Sequence, residues 1–302
     1  MNDDARVLIL GASGFIGQEV LRALLRYHPK IHVSILLRQP AKTESGIRIF
    51  QGDIRSFDWH QLDEEPPDRI IHLARINARR FGKWGRKRAA FQGRRANQRL
   101  LNHIQKNNWG THVTYVSGSL MYGEMGAETA DEKSPVNPVS FAREYVEAEK
   151  PFLQSDRVQM IRLPWVFGKG SWFQSFYLKS MRDCSEIPVY GTGQSRMSFI
   201  HVRDAGKLIA EIALKEGDGT FNLCMEEILT QKGFCRLIEE ISGMPLQMIS
   251  NVELRNKFGR AVYEAFTCSI PLKSRYQEEF NKLAEYISVK EMLREELPQL
   301  LS

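Results

Sequence analysis

The sequence predicts an α/β fold, a doubly wound parallel sheet followed by a smaller C-terminal α+β domain for the substrate. Three observations predict it. A short apolar strand runs into a glycine-rich turn and a helical pattern between Val7 and Leu21. Further apolar strands then alternate with helical patterns as far as Gly168, which is the signature of βαβ units. Beyond Gly168 that rhythm loosens. At 302 residues and 42% hydrophobic content, the chain suits one or two ordinary domains.

The organising stretch is Val7 to Gly17, VLILGASGFIG. Glycine permits positive φ and close approach of the backbone to a ligand. The helix that follows offers N–H groups and a positive dipole end to a phosphate. Gly11, Ser13 and Gly14 in the turn, with Phe15, Ile16 and Gly17 opening the helix, are therefore expected to hold a dinucleotide pyrophosphate. The segment before them, MNDDARVLIL, has no basic start. It reads as the first strand of the fold and not as a signal peptide.

Val33 to Leu37 reads as the second strand and ends at Arg38. In a Rossmann-type βαβ unit an acid at that point binds the ribose hydroxyl of NAD, whereas arginine suits the 2′-phosphate of NADP. Arg38 points to NADP over NAD. Ile47 to Phe50 is the third strand, followed by Asp53 and Ile54, where a carboxylate reaches toward the adenine edge. Asp68 to Leu73 is the fourth strand, with Ala74 small enough to sit beside a cofactor and Arg75 next to it. A helix is expected over 89–104, a strand over 111–117, and a helix over 140–149 that Pro151 stops or kinks. Met160 to Leu163 is the sixth strand. Further on, 172–181 reads as an amphipathic helix, 188–196 as a loop around GTGQ, 197–202 as a strand, 204–214 as a helix and 220–223 as a strand. From Leu229 to the end the pattern gives helices with short strands, one helix lying near 277–287. The division expected is 1–168 with 197–223 for the cofactor domain, and 169–196 with 224–302 for the substrate domain.

The formal net charge of +6 is unevenly spread, because no Asp or Glu occurs between Arg69 and Gly123. That span holds Arg75, Arg79, Arg80, Lys83, Arg86, Lys87, Arg88, Arg94, Arg95 and Arg99. Such asymmetry fits a small anionic substrate or an acidic partner. Arg94, Arg95 and Arg99 lie about a turn apart on one helix face. They form either a phosphate or carboxylate clamp or a basic face meeting solvent or a partner subunit, as in a homodimer. No nucleic-acid motif accompanies the charge, so nucleic acid is not an expected partner. No apolar run is long enough to span a bilayer. The four cysteines, Cys184, Cys224, Cys235 and Cys268, lack ligand-like spacing and read as reduced thiols of a cytoplasmic protein.

The blocks GASGFIG at 11–17, GDI at 52–54, HLA at 72–74, Ser117 to Gly123, RLPWVFG at 162–168, FIHVRDAG at 199–206 and TFNL at 220–223 together resemble the extended short-chain dehydrogenase/reductase family. These are the NAD(P)-dependent epimerases, dehydratases and reductases of sugar nucleotides. The resemblance implies a Rossmann domain with a nicotinamide cofactor whose ring lies near Ser117, helix 141–145, Pro164 and Val166. It also implies a Ser or Thr that holds the substrate hydroxyl, a Tyr as general acid/base, and a Lys four residues later that lowers the tyrosine's pKa.

The three positions are altered in this chain. Counting four back from Tyr122 gives Gly118, flanked by Ser117 and Ser119. The position for the tyrosine is Phe141, and the position for the lysine is Tyr145. Glu149, four further on, matches the family's usual Glu and fixes the register. Phenylalanine has no transferable proton, and a phenol carries no ammonium charge. Taking Tyr145 as the family's tyrosine puts Glu149 at the lysine position, with Lys150 about 100° round the helix. The remaining polar candidates for catalysis are Tyr145, Ser117 and Ser119; Tyr145 also counts as a cofactor contact. Backbone capping is the competing role for the two serines.

Met197 stands where the family often carries a phosphate-binding Arg, leaving Arg196, Arg275 or the basic segment for a nucleotide diphosphate. His72 and His201 fall in strand patterns and read as packed core residues. Trp165, Trp172 and Phe173 line the crevice or belong to plain core. Two functions fit. One is an NADPH-dependent oxidoreductase or epimerase on an anionic carbohydrate or nucleotide-linked substrate, with a non-standard proton donor. The other is an inactive relative that binds NADP(H) and an anionic partner. The large C-terminal half favours the enzyme, since it suggests a small ligand.

Overall fold

The structure is a computed structural model and describes residues 4–39, 46–76, 82–139 and 142–301. Phe141, Arg79 and Arg80 lie outside the described residues.

The chain opens with β1 (Arg6–Leu10), α1 (Phe15–Tyr27), β2 (His32–Leu37), β3 (Arg48–Gln51) and β4 (Arg69–His72). Next come α2 (Gly82–Lys106), β5 (His112–Gly118), α3 (Arg143–Leu153) and β6 (Val158–Leu163). Val7 to Leu10 are buried throughout, as expected of a strand covered on both faces. α1 turns Val20, Ala23 and Leu24 inward, the spacing of one helical face. β1 pairs in parallel with β2 and with β4, β2 with β3, and β4 with β5.

The second half holds β7 (Trp165–Phe167), α4 (Lys179–Cys184), β8 (Ile187–Tyr190), β9 (Arg196–His201), α5 (Val202–Leu214) and β10 (Gly219–Asn222). It ends with β11 (Ile228–Thr230), α6 (Gln231–Ser242), β12 (Leu246–Ile249), α7 (Asn251–Thr267), α8 (Gln277–Leu283) and α9 (Val289–Leu301). The main sheet has the order β10-β6-β5-β4-β1-β2-β3. Strand order therefore reverses between β1 and β4, the point where doubly wound sheets bind ligands beyond their strand ends.

The chain forms two compact units, one of 1–117, 143–161 and 206–220, the other of 118–142, 162–205 and 221–302. In the first unit the core gathers Leu8, Leu36, Ile70, Leu100 and Val113. In the second, aromatic side chains dominate, among them Phe173, Tyr177, Phe199 and Phe234. There β9 lies between β11, antiparallel, and β7, parallel. Asp204 is buried and accepts the backbone N–H groups of Glu285 and Tyr286 at 2.7 and 3.3 Å. His201 is buried with its ring 4.8 Å from that of Tyr286. His201 and Trp172 thus serve the core of the second unit.

Several expected boundaries move. Ile187–Tyr190 is a strand, parallel to β12, where a loop was expected from Pro188 onward. The proline is accommodated in a two-stranded sheet, where every strand is an edge. α2 begins at Gly82, well before Ala89. α3 runs through Pro151 to Leu153, because Phe152 is buried and its ring stacks on Tyr115 at 4.5 Å. The helix expected over 172–181 contains a π-turn, Gln174–Leu178, that leads into α4.

Candidate functional site

The glycine turn is built by steric necessity. Gly11 has φ +96°, and a Cβ there would lie 2.8 Å from the Ala74 nitrogen. A Cβ on Gly17 would lie 2.1 Å from the Gly11 carbonyl oxygen. Gly14 caps α1 without a side chain, so the turn of Phe15, Ile16 and Gly17 presents its N–H groups with no side-chain acceptor over them. A crevice open to solvent lies along this turn and is lined by Gly11, Ser13, Gly14, Arg38, Asp53 and Ala74 among others. Leu73, Ile54 and Arg75 also line it. The residues therefore fit a dinucleotide: a cradle that a Cβ would fill, a helix N-terminus and an arginine at the end of β2.

Sequence reasoning missed Arg55. Its guanidinium grips Asp53 with Nε to Oδ1 and Nη2 to Oδ2, both at 2.8 Å, and its backbone N–H donates to Oδ1 at 2.9 Å. Hydrogen bonding from Arg55 holds the Asp53 carboxyl below the usual range, and the charge of Arg38 adds to this. Both Asp53 oxygens are thus engaged within the loop. The available signal was position: Arg55 stands two residues after Asp53 in GDIR, within reach for a local pair.

A second, small cavity shares Ile54, Ala74, Arg75 and Ile76 with the first and continues to Ser117, Tyr145 and Glu149. Arg75 is the polar residue common to both. Its guanidinium carbon lies 4.2 Å from the centre of the Tyr145 ring, a cation–π distance. Ser117 donates its hydroxyl to the Glu149 carboxylate, which is 1% exposed. Tyr145 and Glu149 are four apart on α3 and face the same cavity. Arg86 and Asn97 reach it from α2. Asn97 ties the wall together, donating to the Ala148 carbonyl at 2.8 Å and contacting His72 Nε2 at 2.9 Å. His72 itself is fully buried, and that burial pushes its pKa down to about 4, so it is a neutral core histidine near pH 7. Gly93 lets the two helices close, since a Cβ there would lie 3.1 Å from Ala148 Cβ.

Of the remaining sequence candidates, Ser119, Pro164 and Val166 fall in the second unit, where Ser119 opens a 3₁₀ turn and Val166 is buried in β7. Lys150 is exposed and paired with Glu147 on the outer flank of α3. The arginines of α2 do not act as one clamp. Arg94 pairs with Glu147 at 3.1 Å. Arg99 donates to the carbonyls of Arg55 and Phe57 at 2.6 and 3.1 Å. Both are engaged inside the chain because α2 packs beside α3 and over the 55–57 loop. Arg196 is likewise engaged, donating to the Ala127 carbonyl at 2.6 Å. Arg86, with no special spacing in sequence, is the α2 cation at the cavity.

Comparison with known proteins agrees with this fold. A dTDP-glucose 4,6-dehydratase of Streptomyces niveus is 26% identical over 236 residues, 69% of each chain. The structure of a human epimerase family protein with NADPH superposes with a TM-score of 0.79 at 20% identity, covering 96% of this chain and 98% of that one. The dTDP-glucose 4,6-dehydratase of Bacillus anthracis, in complex with NAD, gives a TM-score of 0.76 at 14% identity over 97% and 96%. Among the described residues, no helix is long and apolar enough to cross a membrane. With the glycine turn, the switch-point crevice and a family model that matches residues 7–224, the chain belongs to the NAD dependent epimerase/dehydratase family.

Proposed function

We propose that this protein is a cytoplasmic NADP(H)-dependent oxidoreductase or epimerase acting on an anionic carbohydrate or nucleotide-linked substrate, with Tyr145 as its proton donor and acceptor. The observation that carries this reading is the placement of Arg75 against the Tyr145 ring at the join of the two cavities. The family pairs a tyrosine hydroxyl with a lysine ammonium. Here a phenol stands at the lysine position, and a cation from the end of β4 lies over its ring. A bound nicotinamide would supply or accept a hydride at a carbon of the substrate. Tyr145 would give a proton to the oxygen on that carbon, or take one from it, as general acid or base. Arg75 would stabilise negative charge building on the same oxygen. Ser117, held by Glu149, would orient the substrate hydroxyl. Arg75 and Arg86 give the cavity the basic wall an anionic ligand requires. The dehydratases noted above are named for dTDP-glucose, which is of that class. The functional division into a cofactor domain, 1–168 with 197–223, and a substrate domain, 169–196 with 224–302, belongs to the same proposal.

The test is NADPH oxidation by the purified protein across a panel of keto-sugar nucleotides and simpler carbonyl compounds. Turnover that falls by about 10²- to 10⁴-fold in Tyr145→Phe, with NADPH affinity kept, is the expected result. Turnover unchanged by that substitution overturns the role of Tyr145.

A second reading is an inactive relative that binds NADP(H) and an acidic partner. It is favoured by Lys150, the nearest lysine on α3, which is paired with Glu147 on the outer flank. It expects NADPH binding without turnover on any substrate of the panel, and a partner interaction that weakens with salt.

A further inference from the structure

The side chains of His60, Asp63 and His103 converge away from both cavities. Their ligand atoms all lie within 4.8 Å of one another. We propose that these three residues bind a borderline divalent cation of the Zn²⁺ type, clasping the turn after β3 to the end of α2.

The chemistry of the set favours that class of ion. Two imidazoles and one carboxylate make a nitrogen and oxygen donor set that suits zinc, and three protein ligands leave a fourth position for water. The local structure brings the groups together. His60 lies within one 3₁₀ turn, Trp59–Leu62, and Asp63 follows as its C-cap; residues three apart eclipse in such a turn. Asp58 caps that turn by accepting the His60 N–H at 3.2 Å. His103 lies in the last turn of α2 with its side chain 10% exposed. Its ring stands edge-on to those of His60 and Trp109, at 4.7 and 4.8 Å, so its orientation is fixed.

The Asp63 carboxylate sits between the two rings. His60 Nδ1 is 2.8 Å from Oδ2, and His103 Nε2 is 2.8 Å from Oδ1. Ligand atoms around a tetrahedral ion with bonds near 2.0 Å stand about 3.3 Å apart. To reach that spacing the 2.8 Å contacts open and the widest separation, up to 4.8 Å, closes; His60, with its side chain 65% exposed, has room to make the movement. Asp58 and Glu64 flank the turn in sequence and add negative charge there.

The experiment uses the full-length protein after treatment with a chelator. Zn²⁺ is titrated by calorimetry, Co²⁺ by its visible absorption, and thermal unfolding is followed with and without Zn²⁺. The expected result is one ion per chain and a higher Tm with Zn²⁺. His60→Ala and His103→Ala should each weaken binding at least tenfold. His28→Ala, which removes an imidazole paired with Glu211 elsewhere, should leave it unchanged. His60→Ala is an exposed substitution and keeps the test valid if His103→Ala unfolds. Absence of saturable binding, or equal binding by wild type and His60→Ala, overturns the proposal.

Discussion

The guanidinium of Arg75 covers the ring of Tyr145 at 4.2 Å. The two residues come from different elements, the loop after β4 and the first turn of α3. The contact puts a permanent positive charge over the face of a phenol ring in the cavity that meets the nucleotide crevice. If the pair does the work of the family's tyrosine and lysine, charge at position 75 matters more than shape alone. Arg75→Gln should lower turnover by about 10²-fold, as loss of one stabilising group in a catalytic cavity does. Arg75→Lys keeps the charge but loses the planar stack, so it should fall between wild type and Arg75→Gln. Steady-state rates with NADPH check this. Equal rates in Arg75→Gln and wild type would remove Arg75 from the reaction.

Cofactor choice should rest on Arg38. It ends β2 and lines the crevice beside Asp53 and Arg55. A charged hydrogen bond contributes about 1.5–3 kcal/mol, so Arg38→Asp should weaken NADPH binding roughly 10- to 100-fold while sparing or improving NADH. Arg55 is a different case, because its guanidinium is turned onto Asp53. Arg55→Ala should change the affinities for NADH and NADPH by the same factor. Fluorescence titration of both cofactors separates the two roles. An NADPH preference that survives Arg38→Asp would rule out Arg38 as the selector.

Buried strands and tight turns were legible in the sequence because their causes are local. Val7 to Leu10 is apolar at every position since both faces are covered. Gly11 and Gly17 announce a turn in which a Cβ has no room. β8 was hidden because Pro188 reads as a breaker, and only pairing with β12 shows that an edge tolerates it. The partners of arginines were least legible. Arg86, Arg94 and Arg99 look alike in a one-sided charge run. Packing of α2 sends one to the cavity, one to Glu147 and one to two carbonyls. Glu149 could be aligned by spacing, but its bond to Ser117 needed the fold.

His72 makes stability depend on pH. Its pKa falls from 6.5 to about 4 on folding because burial penalises the charged ring. Between those values the unfolded chain holds a proton that the folded chain lacks, so stability rises with pH. The contribution is complete above pH 6.5 and is lost as pH falls toward 4. A shift of this size corresponds to roughly 3 kcal/mol. Urea unfolding at pH 7 and pH 4.5 should show a clear drop in wild type. His72→Gln, which can still donate to Asn97, should show a smaller drop. An identical drop in both proteins would mean that other groups set the acid sensitivity.

Restoring the family's three side chains distinguishes a relocated proton donor from a lost one. The substitutions are Gly118→Ser, Phe141→Tyr and Tyr145→Lys. The first is sterically mild, since a Cβ on Gly118 meets only the Leu163 carbonyl at an ordinary 3.6 Å. The third removes the phenol under Arg75 and places an ammonium close to a guanidinium, a like-charge contact that disfavours both. If Tyr145 and Arg75 are the working pair, Tyr145→Lys alone should abolish turnover on the natural substrate, and the triple variant should stay below wild type. If catalysis was lost from this chain, wild type and every single variant should be silent, and only the triple variant should oxidise NADPH with a keto-sugar nucleotide. Rates for all three singles and the triple, measured beside NADPH affinity, decide between a chain that moved its acid and a chain that gave it up.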